Sequence, residues 1–157
     1  MSLASPKGAA INGAAFKIGI VAARFNEALV DALLARAQAT LAAAGVKERN
    51  VTVVRVPGSH EVPWAANALA KRGGRDCVIA LGVLIGGDTN HHEMVGDSVS
   101  HALQAIAVGT GVPVINGVIV ANTLGQARVR TTGKINRGAE FACAALAMAA
   151  LKKGLAR

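Results

Sequence analysis

The chain has 157 residues, a length typical of one compact domain. Hydrophobic residues make up 52% of the sequence and charged residues 17%, and the mean hydropathy is +0.42, which excludes an intrinsically disordered protein. The net charge of +8 fits an anionic partner, which can be a nucleic acid, an anionic membrane surface or a phosphorylated small molecule; solubility alone is the other explanation of this charge. Aromatic residues are only 3% and do not alternate with the basic ones, which argues against a nucleic-acid stacking surface.

Targeting and redox signals are weak in this sequence. The longest uninterrupted apolar stretch, Phe141 to Leu151, is shorter than the ~20 residues that cross a bilayer. No apolar segment of a secretory signal follows the N-terminus, so we expect a cytoplasmic protein without a membrane partner. Cys77 and Cys143 both lie in apolar runs, and we predict two buried thiols rather than a disulfide or a metal site.

The chain repeats a unit of strand, loop and helix. Residues 1–15 are rich in Ser, Pro, Gly and Ala and are predicted to be an arm that is mobile or ordered on a neighbouring molecule; residues 16–157 form the single domain. Asn26 is expected to cap the first helix and Gly45 to end it. The predicted strands are residues 16–22, 51–56, 77–85 and 113–120, and the predicted helices are residues 27–44, 64–72, 91–108 and 137–153, with a short helix after the last strand.

Strands that are apolar at nearly every position must be covered on both faces. This pattern predicts an α/β fold with a parallel sheet between layers of helices. Ligands of such sheets bind beyond the carboxyl ends of the strands, so the loops that follow the strands are the candidate site.

The first two loops carry groups that can hold a heterocycle and its polar substituents. Phe25 can stack on a flat ring, or it can pack against the next helix as a hydrophobic staple. In the second loop, the free N–H groups at Gly58 and Ser59 and the carboxylate of Glu61 can bind polar ligand atoms. Helix capping by Ser59 is the alternative.

The third loop, GGDTNHH at residues 86–92, has the composition of a phosphate-binding turn. Two glycines permit close backbone approach, Thr89 offers a hydroxyl, and a helix N-terminus follows. It is not a P-loop, because the lysine and its spacing are absent. His91 and His92 can transfer protons, and we expect one of them at most to face the site; capping or surface roles are the alternative. No metal-binding spacing of histidines occurs.

Two further groups of polar residues come later in the chain. Asn116 lies in an apolar run and needs a hydrogen-bond partner or a ligand. Arg130, Lys134 and Arg137 can attract or bind an anion, although a solvated basic face explains spaced charges equally well.

These motifs together resemble the 6,7-dimethyl-8-ribityllumazine synthase family of riboflavin biosynthesis over roughly residues 16 to 152. The resemblance rests on ordered motifs: RFN at 24–26, VPGSHEVP at 56–63, ALGVLIGGDTNH at 80–91, TGVPVINGV at 110–118, Gln126-Ala127, Arg130 and GKINRGAE at 133–140.

The resemblance implies a fold and a reaction. The fold is a three-layer αβα sandwich with a four-stranded parallel sheet in flavodoxin-like order, and the N-terminal arm adds to a neighbouring subunit. The reaction condenses 5-amino-6-(D-ribitylamino)uracil with 3,4-dihydroxy-2-butanone 4-phosphate, releasing phosphate and water without a cofactor. The expected assembly is a pentamer or a pentamer-based shell, with active sites between subunits and no nucleic-acid partner.

The resemblance also assigns roles to residues. His91 moves protons, Arg130 reaches the phosphate from the neighbouring subunit, and Lys134 assists. Phe25 stacks on the pyrimidine, the backbone of residues 83–85 lines the ring edge, and residues 87–89 hold the phosphate. The candidate substrate-binding residues are Phe25, Asn26, Gly58, Ser59, His60, Glu61, Val83, Leu84, Ile85, Gly87, Asp88, Thr89 and Asn116.

Some positions depart from the family pattern. His60 stands where the family usually has an aromatic or small apolar residue, Gly86 where a basic residue is frequent, and Asn116 where phenylalanine is common. His92 and Met94 replace aromatic residues. The segment from Arg130 to Gly138 is one residue short. A more polar ring pocket leaves two alternatives: a relative that binds a flavin or lumazine without producing it, or an enzyme for another sugar phosphate.

Overall fold

The structure, a computed structural model, describes residues 10–156. Within this range the chain alternates between strands and helices, as the apolar pattern predicts. The elements are β1 (Ile18–Ala23), α1 (Glu27–Ala43), β2 (Val51–Val56), α2 (Val62–Lys71), β3 (Cys77–Ile85), α3 (His91–Thr110), β4 (Val114–Ala121), α4 (Leu124–Thr131) and α5 (Arg137–Leu155), with single 3-10 turns at Glu48–Asn50 and Ser59–Glu61.

The four strands form one parallel sheet in the order β2-β1-β3-β4. Each parallel connection returns through a helix, so the helices cover both faces and complete three layers. The predicted α/β sandwich and its flavodoxin-like strand order are confirmed. The order reverses between β1 and β3, and this reversal opens a crevice at the carboxyl ends of these two strands.

A separate apolar core lies on each face of the sheet. One core packs Ile20 and Ile79 against α1, α4 and α5, and the other packs Val21 and Val78 against α2 and α3. Because β1 and β3 contribute alternate residues to the two faces, every residue of β1 is buried.

Small residues allow α1 and α5 to approach closely. A Cβ atom on Gly138 of α5 would lie 2.5 Å from the carbonyl oxygen of Leu33 and 2.8 Å from Cβ of Arg36, both on α1. These distances are too short for any side chain at residue 138, so the two helices are in contact through backbone at this point.

The predicted helix ends agree with the structure to within about two residues. Gly45 follows α1 with a φ of 87°, a left-handed conformation that glycine adopts without strain. α2 begins at Val62, earlier than the predicted start at Trp64, because Pro63 fits the first turn of a helix. It is followed by Gly73 and Gly74, both with positive φ, as the sequence indicates.

The two cysteines differ in environment. Cys77 is buried in β3, and burial raises the pKa of its thiol to about 12, so the group stays protonated and inert. Cys143 is exposed, and the prediction of two buried thiols is therefore wrong. The buried stripe of α5 runs through Ala142, Ala145 and Ala149, and residue 143 lies off that stripe.

Residues 1–9 of the predicted arm lie outside the described residues. The last part of the arm contacts its own chain, since the N–H of Gly13 donates to the carbonyl of Ala44 at 2.7 Å and Ile11 packs against the core. The division at residue 15 stays a prediction. No helix between residues 10 and 156 is long and apolar enough to cross a membrane.

Candidate active site

A cavity of about 440 Å³ opens at the carboxyl ends of β1, β2 and β3. It coincides with the point where the strand order reverses, as expected for an open parallel sheet. The lining residues come from three loops and the start of α3: Phe25, Asn26, Gly58, Ser59, His60, Glu61, Val83, Leu84, Ile85, Gly87, Thr89, His91, His92 and Val95.

Asn26 connects the first loop to β3. Its Nδ2 donates to the carbonyl oxygen of Val83 at 2.8 Å, and its backbone adopts a left-handed conformation with a φ of 57°. The side chain makes no capping hydrogen bond to α1, so the predicted capping role is wrong. Asparagine tolerates this conformation better than most residues, and the amide is directed across the cavity instead of toward the helix.

The backbone of Phe25 is hydrogen-bonded, whereas its side chain is exposed to solvent. Its N–H donates to the carbonyl of Pro57 at 3.0 Å, which links the first loop to the second. Its side chain is 73% exposed, so the staple alternative is wrong. A large apolar ring that borders a cavity while exposed to solvent is available to stack on a ligand.

The second loop is braced by Glu61 rather than by Ser59. Oε2 of Glu61 accepts a hydrogen bond from the N–H of Gly58 at 2.8 Å. Ser59 is 3% exposed, and among the described residues its Oγ has no hydrogen-bond partner, which contradicts the capping alternative. An unpaired hydroxyl on a cavity wall is suited to a polar ligand atom.

The end of β3 presents backbone groups to the cavity. β1 pairs with β3 only as far as Leu81, whereas β3 continues to Ile85 alongside β4. The carbonyl of Val83 accepts the hydrogen bond from Asn26 on the side of β3 that faces β1. Backbone groups of successive residues point to opposite edges of a strand, so those of Ile85 point to the same edge as those of Val83. This short unpaired edge can bind the amide-like edge of a ring.

The third loop forms a group of free amides. Within residues 10–156, no backbone N–H group of residues 87–92 donates a hydrogen bond, and Asn90 does not cap α3 with its side chain. Thr89 lines the cavity beside them, while Asp88 is exposed and does not line it. Free N–H groups at the positive end of a 20-residue helix can bind an anion.

Both histidines at the start of α3 line the cavity. The expectation that only one would face the site is wrong, because the cavity lies at the end of the helix and extends around its first turn. His91 is exposed, whereas both ring nitrogens of His92 are buried. His92 and Val95 are lining residues absent from the predicted set; the i, i+4 relation of Val95 to His91 is the signal for it.

Asn116, Arg130 and Lys134 are not brought to this cavity. Asn116 lies on β4 at the far edge of the sheet, where its Nδ2 donates to Oγ of Ser100 at 2.9 Å. Arg130 donates to the carbonyl of Gln126 on its own helix at 2.9 Å, and Lys134 is exposed in the loop before α5.

Metal-binding geometry is also absent from the described residues. Between residues 10 and 156, no three His, Cys, Asp or Glu side chains are grouped to hold a metal ion. The groups present at the cavity are an exposed ring, backbone amides, hydroxyls and imidazoles, which serve binding and proton transfer.

Comparison with known proteins defines the family. The sequence model described as 6,7-dimethyl-8-ribityllumazine synthase matches residues 15–153. The chain belongs to this family. Proteins named 6,7-dimethyl-8-ribityllumazine synthase are similar to it: that of Xylella fastidiosa is 44% identical over 87% of this chain and 89% of its own length. The protein of that name from Xanthomonas oryzae pv. oryzae is 42% identical over 83% of this chain and 85% of its own length.

Family membership makes the chain an enzyme, a transferase of the lumazine synthase type. The resemblance inferred from the sequence motifs is confirmed, and it covers the whole described domain except its first residues and its C-terminal end. The cavity at the strand ends is the candidate active site of this lumazine synthase family member.

Proposed function

We propose that the chain condenses 5-amino-6-(D-ribitylamino)uracil with 3,4-dihydroxy-2-butanone 4-phosphate to form 6,7-dimethyl-8-ribityllumazine. The observation that carries the assignment is a single cavity that combines the unpaired end of β3 with the free amides of residues 87–92. One part suits a ring with amide edges and the other suits a phosphate, so the cavity matches the two substrates of this reaction.

The aminouracil occupies the part of the cavity next to β1 and β3. Phe25 stacks on the ring, and the backbone groups of Val83 and Ile85 on the free edge of β3 pair with its N–H and C=O groups. Asn26 acts as a positioning residue, because its amide is engaged with Val83 and holds the loop on β3. Ser59 and Glu61 bind the hydroxyls of the ribityl chain, and the unpaired Oγ of Ser59 then gains a partner.

The ketone phosphate binds at the third loop. Its phosphate accepts hydrogen bonds from the amides of Gly87 and Asp88 and from the hydroxyl of Thr89. The ketone carbon is thereby held near the amine of the bound ring. Holding two reactants in one orientation accounts for much of the acceleration expected of such a site.

His91 transfers protons between the reacting groups. The 5-amino group attacks the ketone carbonyl and water leaves, which gives an imine; the phosphate is then eliminated. Elimination removes a proton from the carbon that bears the hydroxyl and leaves an enol, which tautomerises to a new ketone. The ribitylamino nitrogen then closes the ring on this new carbonyl with loss of a second water. His91 is exposed at the cavity beside the amide group of the third loop, where an imidazole can donate and accept these protons in turn.

The site is completed by a second copy of the chain. The proposed roles of Asn116, Arg130 and Lys134 require a cavity that they do not line in their own chain. β4 and β2 are the open edges of the sheet, so neighbouring copies in a pentamer can approach from the side of β4. Arg130 then adds a guanidinium to the phosphate of the adjacent cavity.

The free thiols support a proposal about the cellular location. Cys77 and Cys143 are both free, the state that persists in a reducing compartment. We infer that the enzyme works in the cytoplasm.

Mixing two inactive variants tests the shared site. His91→Ala and Arg130→Ala chains are each expected to have little activity, since every cavity lacks one required group. When equal amounts are unfolded and refolded together, about a quarter of the cavities combine an intact His91 with an intact Arg130 of the neighbour, by the statistics of closed symmetric assembly. The rate of lumazine formation is then about a quarter of the wild-type rate.

The control is each variant refolded alone, which stays inactive. A mixture no more active than the two separate variants contradicts a site shared between chains.

The flavin-binding and sugar-phosphate alternatives are not favoured. They were based on a more polar ring pocket, whereas the chain belongs to a family whose named members are lumazine synthases. His60 lines the cavity and is exposed, so it can be solvated without a ligand.

A further inference from the structure

His92 differs from the other histidines of the cavity. It lines the cavity from the first turn of α3, yet both of its ring nitrogens are buried and without a hydrogen-bond partner among the described residues. His60 and His91 are exposed, so water can satisfy their rings. A neutral imidazole always has one donor and one acceptor, and burying both without a partner is unfavourable.

The ring lies beside the loop of free amides. Its Nε2 is 3.2 Å from the position that a Cβ atom on Gly86 would occupy, and that position is 2.7 Å from the carbonyl oxygen of Asn122. The absence of a side chain at residue 86 therefore provides the space for the imidazole at the beginning of the loop. The nearby carboxylates of Asp88 and Glu93 are exposed and form no hydrogen bond with the ring.

We propose that His92 is a phosphate-contacting residue that determines specificity for the phosphorylated substrate. On binding, the ring turns about its side-chain bonds and donates an N–H hydrogen bond to a phosphate oxygen held by the amides of residues 87–92. The inference rests on the proposed function, and it assigns His92 a role separate from the proton transfer by His91.

A purely structural role predicts a different pattern of variants. If the ring only fills the space beside Gly86, phenylalanine restores the packing and glutamine does not. If the ring donates a hydrogen bond, glutamine retains a donor near the same position and phenylalanine does not. The two variants therefore separate the proposal from packing.

The experiment measures the Kd of inorganic phosphate by calorimetry for the wild type, His92→Phe, His92→Gln and the control His101→Gln. His101 is on the same helix, but its Nδ1 is paired with the carbonyl of Asp97 at 2.8 Å and it does not line the cavity. We expect His92→Phe to weaken phosphate binding about tenfold, which corresponds to ~1.4 kcal/mol. His92→Gln stays within about threefold of the wild type and His101→Gln is unchanged.

In steady-state kinetics, His92→Phe raises the KM for the ketone phosphate and leaves the KM for the aminouracil unchanged. Wild-type phosphate affinity in His92→Phe overturns the proposal, as does an equal loss in His92→Phe and His92→Gln. If His92→Phe does not fold, His92→Leu replaces it with the same expectation. Phosphate binding that depends on His92 in a chain that makes no lumazine would refute the proposed function while retaining this inference.

Discussion

Replacement of His91 with alanine is expected to lower kcat at least about 100-fold, because general acid–base catalysis of this kind contributes ~10² to 10⁴ in rate. His91 is exposed at the cavity and lies next to the free amides of the third loop, so its loss removes proton transfer without removing a packed side chain. The KM values and the oligomeric state should change little. Steady-state lumazine formation and size-exclusion chromatography measure these quantities.

The control for this variant is His101→Ala. This position is on the outer part of α3, away from the cavity, and we expect wild-type kinetics. A His91→Ala enzyme with an unchanged kcat would show that another group, for example His60 at the rim, moves the protons.

Gly138→Ala is expected to destabilise the fold by about 1–3 kcal/mol, the usual range for overpacking a core. The added methyl would lie 2.5 Å from the carbonyl oxygen of Leu33 and 2.8 Å from Cβ of Arg36. Backbone atoms cannot move aside cheaply, so α1 and α5 must separate. Urea denaturation at one fixed protein concentration measures the change in the free energy of unfolding.

Gly154→Ala is the matched control on the same helix. A Cβ atom at residue 154 has no atom within 4 Å, so the substitution adds helix propensity without a clash. It should stabilise the chain by about 0.5–1 kcal/mol. Equal effects of the two substitutions would contradict a tight α1–α5 contact at Gly138.

The fold could be predicted from the sequence because the order and spacing of apolar residues distinguish the strands from the helices. β3 has the predicted bounds, Cys77–Ile85, and nine consecutive apolar residues are typical of a strand buried on both faces. Cys143 shows the limit of such reasoning. An alanine-rich helix is apolar all round, so its sequence does not reveal which residues face the core.

The candidate site was only partly accessible. Local composition identified the second and third loops, because glycines, a threonine and histidines follow strands there. The hydrogen bond from Asn26 to Val83 was not predictable, since it joins residues 57 positions apart and depends on the strand order. The unpaired state of Ser59 and His92 also required coordinates, because the number of partners of a buried atom is a property of packing.

The measurement that tests the central claim most directly is the rate at which the purified chain converts the aminouracil and the butanone phosphate to the fluorescent lumazine. The uncatalysed rate under the same conditions is the reference. We predict saturation with both substrates and a rate well above that reference. A folded oligomer that leaves the rate at the uncatalysed level would contradict the assignment of this cavity as a lumazine-forming active site.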